Sequence, residues 1–294
     1  MFNKPSNRIT LVDMAALGLA AAAISFFLSR MGAVLAYDWN WAAIPQYFIF
    51  LDEETGSWTP NILLRGFFTT VKLSVWATVL AFIIGTLSGI MGARGNGFQR
   101  FVSRIYVEIV RNIPSLVLLI IFYYFVSSQF LDILGLDTRL RGQPEGVQGL
   151  VSFLWADAGS VNAFVSAVAA LALYEGAYIS EIVRGGILGL PRGQWEAAFA
   201  IGLSGPKTFR LVILPQAFRK VAFPLAGQFI STIKDSAIVS VISIQELTFQ
   251  GMELMAATFL TFEIWITVTL LYFVLTFSLS AIINGFEKRS APRG

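Results

Sequence analysis

Long apolar runs separated by short polar stretches dominate this chain. A bilayer core of about 30 Å takes about 20 apolar residues per helix. Six runs of that order occur, from Ile9 to Tyr37, Gly66 to Gly92, Ile105 to Leu131, Val161 to Val183, Ala222 to Leu247 and Phe259 to Phe286. They predict an all-α fold, a polytopic membrane helix bundle with about six transmembrane helices. The first run is too long for a signal peptide and ends at Tyr37-Asp38-Trp39 rather than at a small-residue cleavage site, so it is expected to span. Two parts are expected: residues 1–60, an additional N-terminal span with an outer amphipathic segment, and residues 61–290, the main transmembrane domain.

The loop charges orient the bundle, because Lys and Arg accumulate on the cytoplasmic side. Lys4 and Arg8 precede the first run, and Arg94, Arg100 and Arg104 follow the second. Arg184, Arg192, Lys207, Arg210, Arg219 and Lys220 lie between the fourth and fifth, and Lys288, Arg289 and Arg293 close the chain. The opposite loops carry acids instead: Asp38, Asp52, Glu53 and Glu54, then Asp132, Asp137, Glu145 and Asp157, with Arg139 and Arg141 as exceptions. Both termini are therefore expected in the cytoplasm, with Trp39, Trp41, Tyr47 and Trp58 at the outer interface of the cytoplasmic (inner) membrane.

Composition narrows the chemistry. Hydrophobic residues make up 56% of the chain and charged ones 13%, with no Cys and no His. That removes disulfides, thiolate nucleophiles, imidazole bases and the usual zinc or copper ligand sets. No metal, cofactor or catalytic residue is expected, and a membrane enzyme would lack an assembled nucleophile and base. The formal net charge of +3 gives no basis for nucleic-acid binding.

The stretch from Gly185 to Phe218 is too long for an ordinary connection. Within it Trp195, Phe199 and Leu203 share one helical face and Phe209, Val212 and Ile213 another, separated by Gly202 and by Gly205-Pro206. The pattern reads as helix, turn, helix. Such a half-apolar pair lies on the membrane surface or fills a groove in a partner, and periodicity does not choose between them.

Residue identities do choose. Glu196-Ala197-Ala198, three residues, Gly202, nine residues, Val212, one residue and Leu214-Pro215 resemble the coupling loop of ABC importer permeases, with Val212 in place of Ile. The flanks Gly193-Gln194-Trp195 and Pro215-Gln216-Ala217 are similar to the polar amino-acid uptake subfamily. Thr69-Thr70-Val71-Lys72-Leu73-Ser74, Tyr106-Val107-Glu108 with Arg111 and Pro114, the run from Gly176 to Gly186, and Gln228-Phe229-Ile230 with Lys234-Asp235-Ser236 agree with it. The first sixty residues and a long outer loop, Gln129 to Ser160, are additional.

The resemblance implies an alternating-access permease for polar amino acids. Its implied partners are an ABC ATPase dimer, a second permease copy or paralogue, an extracytoplasmic solute-binding protein, the amino-acid substrate and the lipid bilayer. The chain has no Gly-Lys dipeptide, so a phosphate-cradling P-loop is absent and ATP hydrolysis is expected on a separate chain. The resemblance further implies that Glu196, Ala197, Ala198 and Gly202 enter a groove of the ATPase, with Leu214 and Pro215 closing the motif. Pro215 is expected to end the coupling helix. An ion-coupled secondary transporter, with Glu175 as coupling carboxylate, is the alternative.

Ionisable residues inside spans must face protein or water. Glu108 with Arg111, and Glu181 with Arg184, are three apart and expected to neutralise each other as structural pairs. Glu175 lies about 12 Å inside its span and has no basic residue three or four away. Lys234 reaches about 15 Å depth counted from Pro224. Glu175, Lys234 and Asp235 are expected to meet around a central cavity, as substrate-facing charges or as an interhelical pair that only fixes packing. Gly85 with Gly89, and Gly185 with Gly189, read as close-packing seams. Pro114, Pro215 and Pro224 interrupt apolar segments, as broken transporter helices do.

Overall fold

The computed structural model describes residues 11–34, 37–53, 56–127, 129 and 135–290. Lys4, Arg8, Glu54, Asp132, Arg293 and the end of the third apolar run at Leu131 lie outside the described residues. Two compact units divide at Ala42 and Ala43. The first contains helix α1, Leu11–Val34, with apolar residues all round it. Beyond it Trp39 stacks on Trp41, ring centroids 5.9 Å apart.

The second unit opens with a small hairpin. Strand β1, Ile49–Leu51, pairs antiparallel with β2, Trp58–Pro60, in a register that sets Phe50 opposite Thr59. Residues 43–60, grouped by sequence with the N-terminal segment, belong to this unit: Ile44, Tyr47 and Phe48 pack with Leu63, Leu247 and Ile264.

Helix α2, Ile62–Arg94, follows directly, and the Asn61 side chain accepts the Ile62 N–H at 2.8 Å. Its 33 residues measure about 50 Å, more than the hydrocarbon core requires. Helix α3, Gly97–Asn112, starts on a capping box between Asn96 and Gln99. Helix α4, Ser115–Ile121, then leads into one π-turn stretch, Phe122–Ser127. The third apolar run is thus not a straight span: α3 and the segment from Ser115 meet at a bend of 110°. Pro114 lacks an N–H and forces Ile113 into the extended conformation seen there, φ −94°, ψ 134°, while hydrophobicity runs on uninterrupted.

Between the bent pair and the next span lie helices α5, Leu136–Arg141, and α6, Glu145–Leu154. Helix α7, Val161–Leu188, is the most buried long segment. Helices α8, Arg192–Ala200, and α9, Gly205–Thr208, form the expected helix, turn, helix. Here the structure corrects the reading of Pro215. The chain from Gly205 runs as one segment to Ile242, through a π-turn at Phe209–Ile213 into α10, Leu214–Asp235, and a closing 3-10 stretch. Pro215 sits in the first turn of α10, where its missing N–H costs little, and the coupling segment continues into the span. Helix α11, Leu247–Thr258, occupies what sequence left as a connection, and α12, Thr261–Ser290, ends the fold.

Among the described residues four helices are long and apolar enough to cross a membrane, five if the bent pair is one span. The tightest seam joins α2 and α7. A Cβ at Gly85 would lie 2.6 Å from the Gly176 carbonyl oxygen, and one at Gly89 2.6 Å from that of Ser180. At the far end of α7 the seam expected at Gly185 and Gly189 is shifted. Gly185 has nothing within 4 Å, and Gly186 is the residue pressed against Val221 of α10. Buried Ser88, Ser103 and Ser180 tie α2, α3 and α7 through hydrogen bonds of 2.8 to 3.0 Å.

Candidate functional site

Three contacts fix the helix, turn, helix segment and the helix it leads into. The Arg94 guanidinium, at the last residue of α2, lies 4.5 Å from the Trp195 ring centroid and 5.5 Å from that of Phe209. Gln216 Nε2 donates to Gln194 Oε1 at 2.9 Å, joining α10 to α8. Lys220 Nζ donates to the Gly189 carbonyl at 2.8 Å, joining α10 to the end of α7. Helix α8 is thereby tied to the end of α2 and to α10, and α10 in turn to the end of α7.

Gly202 makes the turn with φ +85°, a conformation that side-chain-bearing residues rarely adopt. Glu196 and Ala197 are exposed, while Ala198 is 3% exposed and turned into the chain, its carbonyl accepting the Leu203 N–H at 3.1 Å. The expectation that Ala198 itself enters a partner is therefore corrected: the α8 turn that bends back to Leu203 buries it. Leu214 is half-buried and Pro215 exposed.

Glu175 on α7 is fully buried. Gln228 Nε2 on α10 donates to its Oε2, Asp235 and Thr232 lie beside it, and its Oε1 is buried with no hydrogen-bond partner. Lys234 is not part of this group. It is exposed, and no ion pair joins it to Glu175 or Asp235. Adjacent helical residues diverge by about 100°, so the face that brings Asp235 to α7 turns Lys234 away.

Of the two pairs expected to neutralise themselves, one forms. Arg184 binds Glu181 in a two-pronged contact at 2.7 and 2.8 Å. Glu108 and Arg111 do not pair. Glu108 accepts from the Asn112 side chain at 3.3 Å, and Arg111 lies 5.3 Å from the centroid of the Tyr178 ring. These groups line a cavity of about 640 Å³ between α3 and the adjoining ends of α2 and α7. At the other end of α2 a cavity of about 1040 Å³ is lined by Arg65, Lys72, Asp157 and Glu253 among others.

Comparison with known proteins decides what this arrangement belongs to. Residues 84–292 match the model of the binding-protein-dependent transport system inner membrane component family. The chain belongs to that family. This inner membrane component is 31% identical to the glutamine transport system permease protein GlnP of Escherichia coli (strain K12), over 87% of this chain and 98% of that one. It is 34% identical to the L-cystine transport system permease protein TcyB of Bacillus subtilis (strain 168), over 78% of this chain and 86% of that one. A crystal structure of an amino acid ABC transporter with histidines superposes with a TM-score of 0.62 at 31% identity, covering 78% of this chain and 94% of that chain. The all-α membrane bundle is shared with that structure, and the ion-coupled alternative finds no support in these relatives.

Sequence reasoning missed three residues of this inner membrane component that geometry brings forward. Arg94 counted only as a positive-inside charge, because its ring partners lie about a hundred residues away. Ile201, 77% exposed beside the Gly202 turn, was hidden because it lies off both apolar faces. Glu246, fully buried, accepts from the backbone N–H groups of Thr248 and Phe249 at 2.9 and 2.8 Å and from the Tyr272 hydroxyl at 2.7 Å. It caps the start of α11, a role that Ser, Thr, Asp or Asn usually fills, so no start signal stands in the sequence there.

Proposed function

We propose that this chain is the membrane permease of an ATP-driven importer of polar amino acids, working with an ABC ATPase dimer, a second permease and an extracytoplasmic binding protein. One observation carries the reading. The Glu196 turn exposes Phe199 and Ile201 at the tip of a segment tied to α2, α7 and α10, so force applied there enters the spans. Glu196, Ala197 and Ile201 meet the ATPase, and Gly202 permits the close turn. Both termini face the cytoplasm, on the side of Arg94, Arg184 and Lys207.

Amino-acid transport rests on the relatives named above and on fixed charges suited to a zwitterion. The larger cavity presents Arg65 and Lys72 with Asp157 and Glu253, both signs together, and serves as the entry vestibule. Glu175 and Asp235 with Gln228 form the next polar group along the route, without Lys234. Residues 61–290 form the permease domain, residues 43–60 its outer edge, and the N-terminal helix an addition. Reconstitution with the ATPase and binding protein tests the proposal. ATP-dependent uptake of glutamine, cystine or another polar amino acid is expected, and uptake by the solitary chain down an ion gradient would refute it.

A further inference from the structure

Helix α3 is divided lengthwise. Phe98, Phe101, Val102, Ile105 and Ile109 form one stripe, between 40 and 74% exposed. Arg100, Ser103, Arg104, Val107, Glu108 and Arg111 form the opposite stripe and line the smaller cavity, which Glu181 and Arg184 complete. The charges there do not cancel. Glu181 is spent on Arg184 in the two-pronged contact, and Glu108 accepts from Asn112. Arg100 donates its Nε to the Gly95 carbonyl at 2.7 Å, which leaves its terminal nitrogens for another acceptor. Arg111 rests on the Tyr178 ring, a contact that keeps all its N–H donors. Four guanidiniums against two carboxylates leave a surplus of two positive charges in about 640 Å³.

We propose that this cavity is a binding site for the phosphodiester headgroup of an anionic phospholipid of the inner leaflet. Guanidinium forks match phosphate oxygens, and basic pockets between transmembrane helices on the cytoplasmic side bind such headgroups. The exposed apolar stripe on the far face sets α3 against lipid, so the phosphate within reach of the basic face is a headgroup's, and free phosphate is the competing outcome of the test. The site rests on the orientation proposed above, but its test does not need transport.

The test is lipid retention by the purified permease–ATPase complex in vesicles of phosphatidylglycerol and phosphatidylcholine, read by native mass spectrometry, with inorganic phosphate as competitor. Phosphatidylglycerol is expected to be retained over phosphatidylcholine. The preference should fall about five-fold for Arg104→Gln and again for Arg100→Gln, about the worth of one basic residue near a membrane surface each. Arg104→Lys should keep most of it, and Arg289→Gln, outside the cavity, all of it. Equal retention by wild type and the double variant overturns the proposal. Displacement by millimolar phosphate makes the site one for the free anion and also overturns it. Loss of permease pairing in the variants, with lipid binding unchanged, means that a second copy covers this face. Failed ATP-driven uptake with intact lipid preference would count against the importer reading alone.

Discussion

The Arg94 guanidinium lies over both the Trp195 and the Phe209 ring, 4.5 and 5.5 Å from their centroids, and so joins the end of α2 to both halves of the helix, turn, helix segment. The two rings are themselves near parallel, with centroids 6.5 Å apart. A cation on aromatic faces is worth about 0.5 to 2 kcal/mol depending on desolvation. That is modest for folding, so the contact is tested through its effect on coupling rather than on stability.

Arg94→Gln is therefore expected to leave expression and assembly near normal while lowering uptake per ATP hydrolysed. Arg94→Lys should recover part of the coupling, since it keeps the charge and loses the planar stack. The check is uptake and ATPase rate measured on the same proteoliposomes. Proportional loss of both would show that Arg94 does not act on coupling.

Replacing Gly85 with Ala sets a methyl against the Gly176 carbonyl, 2.6 Å away on a backbone that does not yield. Overpacking of this kind costs about 1 to 3 kcal/mol. The variant should unfold at lower temperature in detergent, whereas Gly185→Ala, with open space around it, should unfold like the parent. A neutral Gly85→Ala would mean that α2 and α7 are not in direct contact there.

Four of the six expected spans were legible from the sequence because twenty apolar residues in a row have few other uses, while the described part of the first run gives only a shorter apolar stretch, Leu11–Ala23; the helix, turn, helix was legible because its pattern is local. The bend at Pro114 was not, since a proline among apolar residues marks an interruption without its angle. Asp235 rather than Lys234 meets Glu175 because of how α10 is rotated against α7, a fact of packing that periodicity does not carry. The same holds for Glu108, which lost Arg111 to the ring of Tyr178 on the neighbouring helix.

Glu246→Gln should destabilise the junction of α2, α11 and α12. The amide keeps one acceptor oxygen for Thr248 and Tyr272 but sets an N–H where Oε1 accepts from Phe249, and an unsatisfied buried donor costs about 1 to 3 kcal/mol. Tyr272→Phe, which removes one donor, should cost less. Thermal unfolding followed by tryptophan fluorescence orders the two, and the reverse order would contradict the network.

Glu175→Gln keeps the shape of the side chain and removes its ability to ionise beside Asp235 and Gln228. Altered uptake kinetics with normal assembly are expected if the pair lines the route. Unchanged kinetics would reduce Glu175 to a packing residue.

The most direct measurement uses the absence of native cysteine. Glu196→Cys and Ile201→Cys, introduced singly into the assembled transporter, should crosslink to the ATPase subunit, with a yield that changes when ATP binds. Adducts with lipid-soluble reagents alone, with uptake intact and no bond to an ATPase in any nucleotide state, would contradict a turn that carries force into α10.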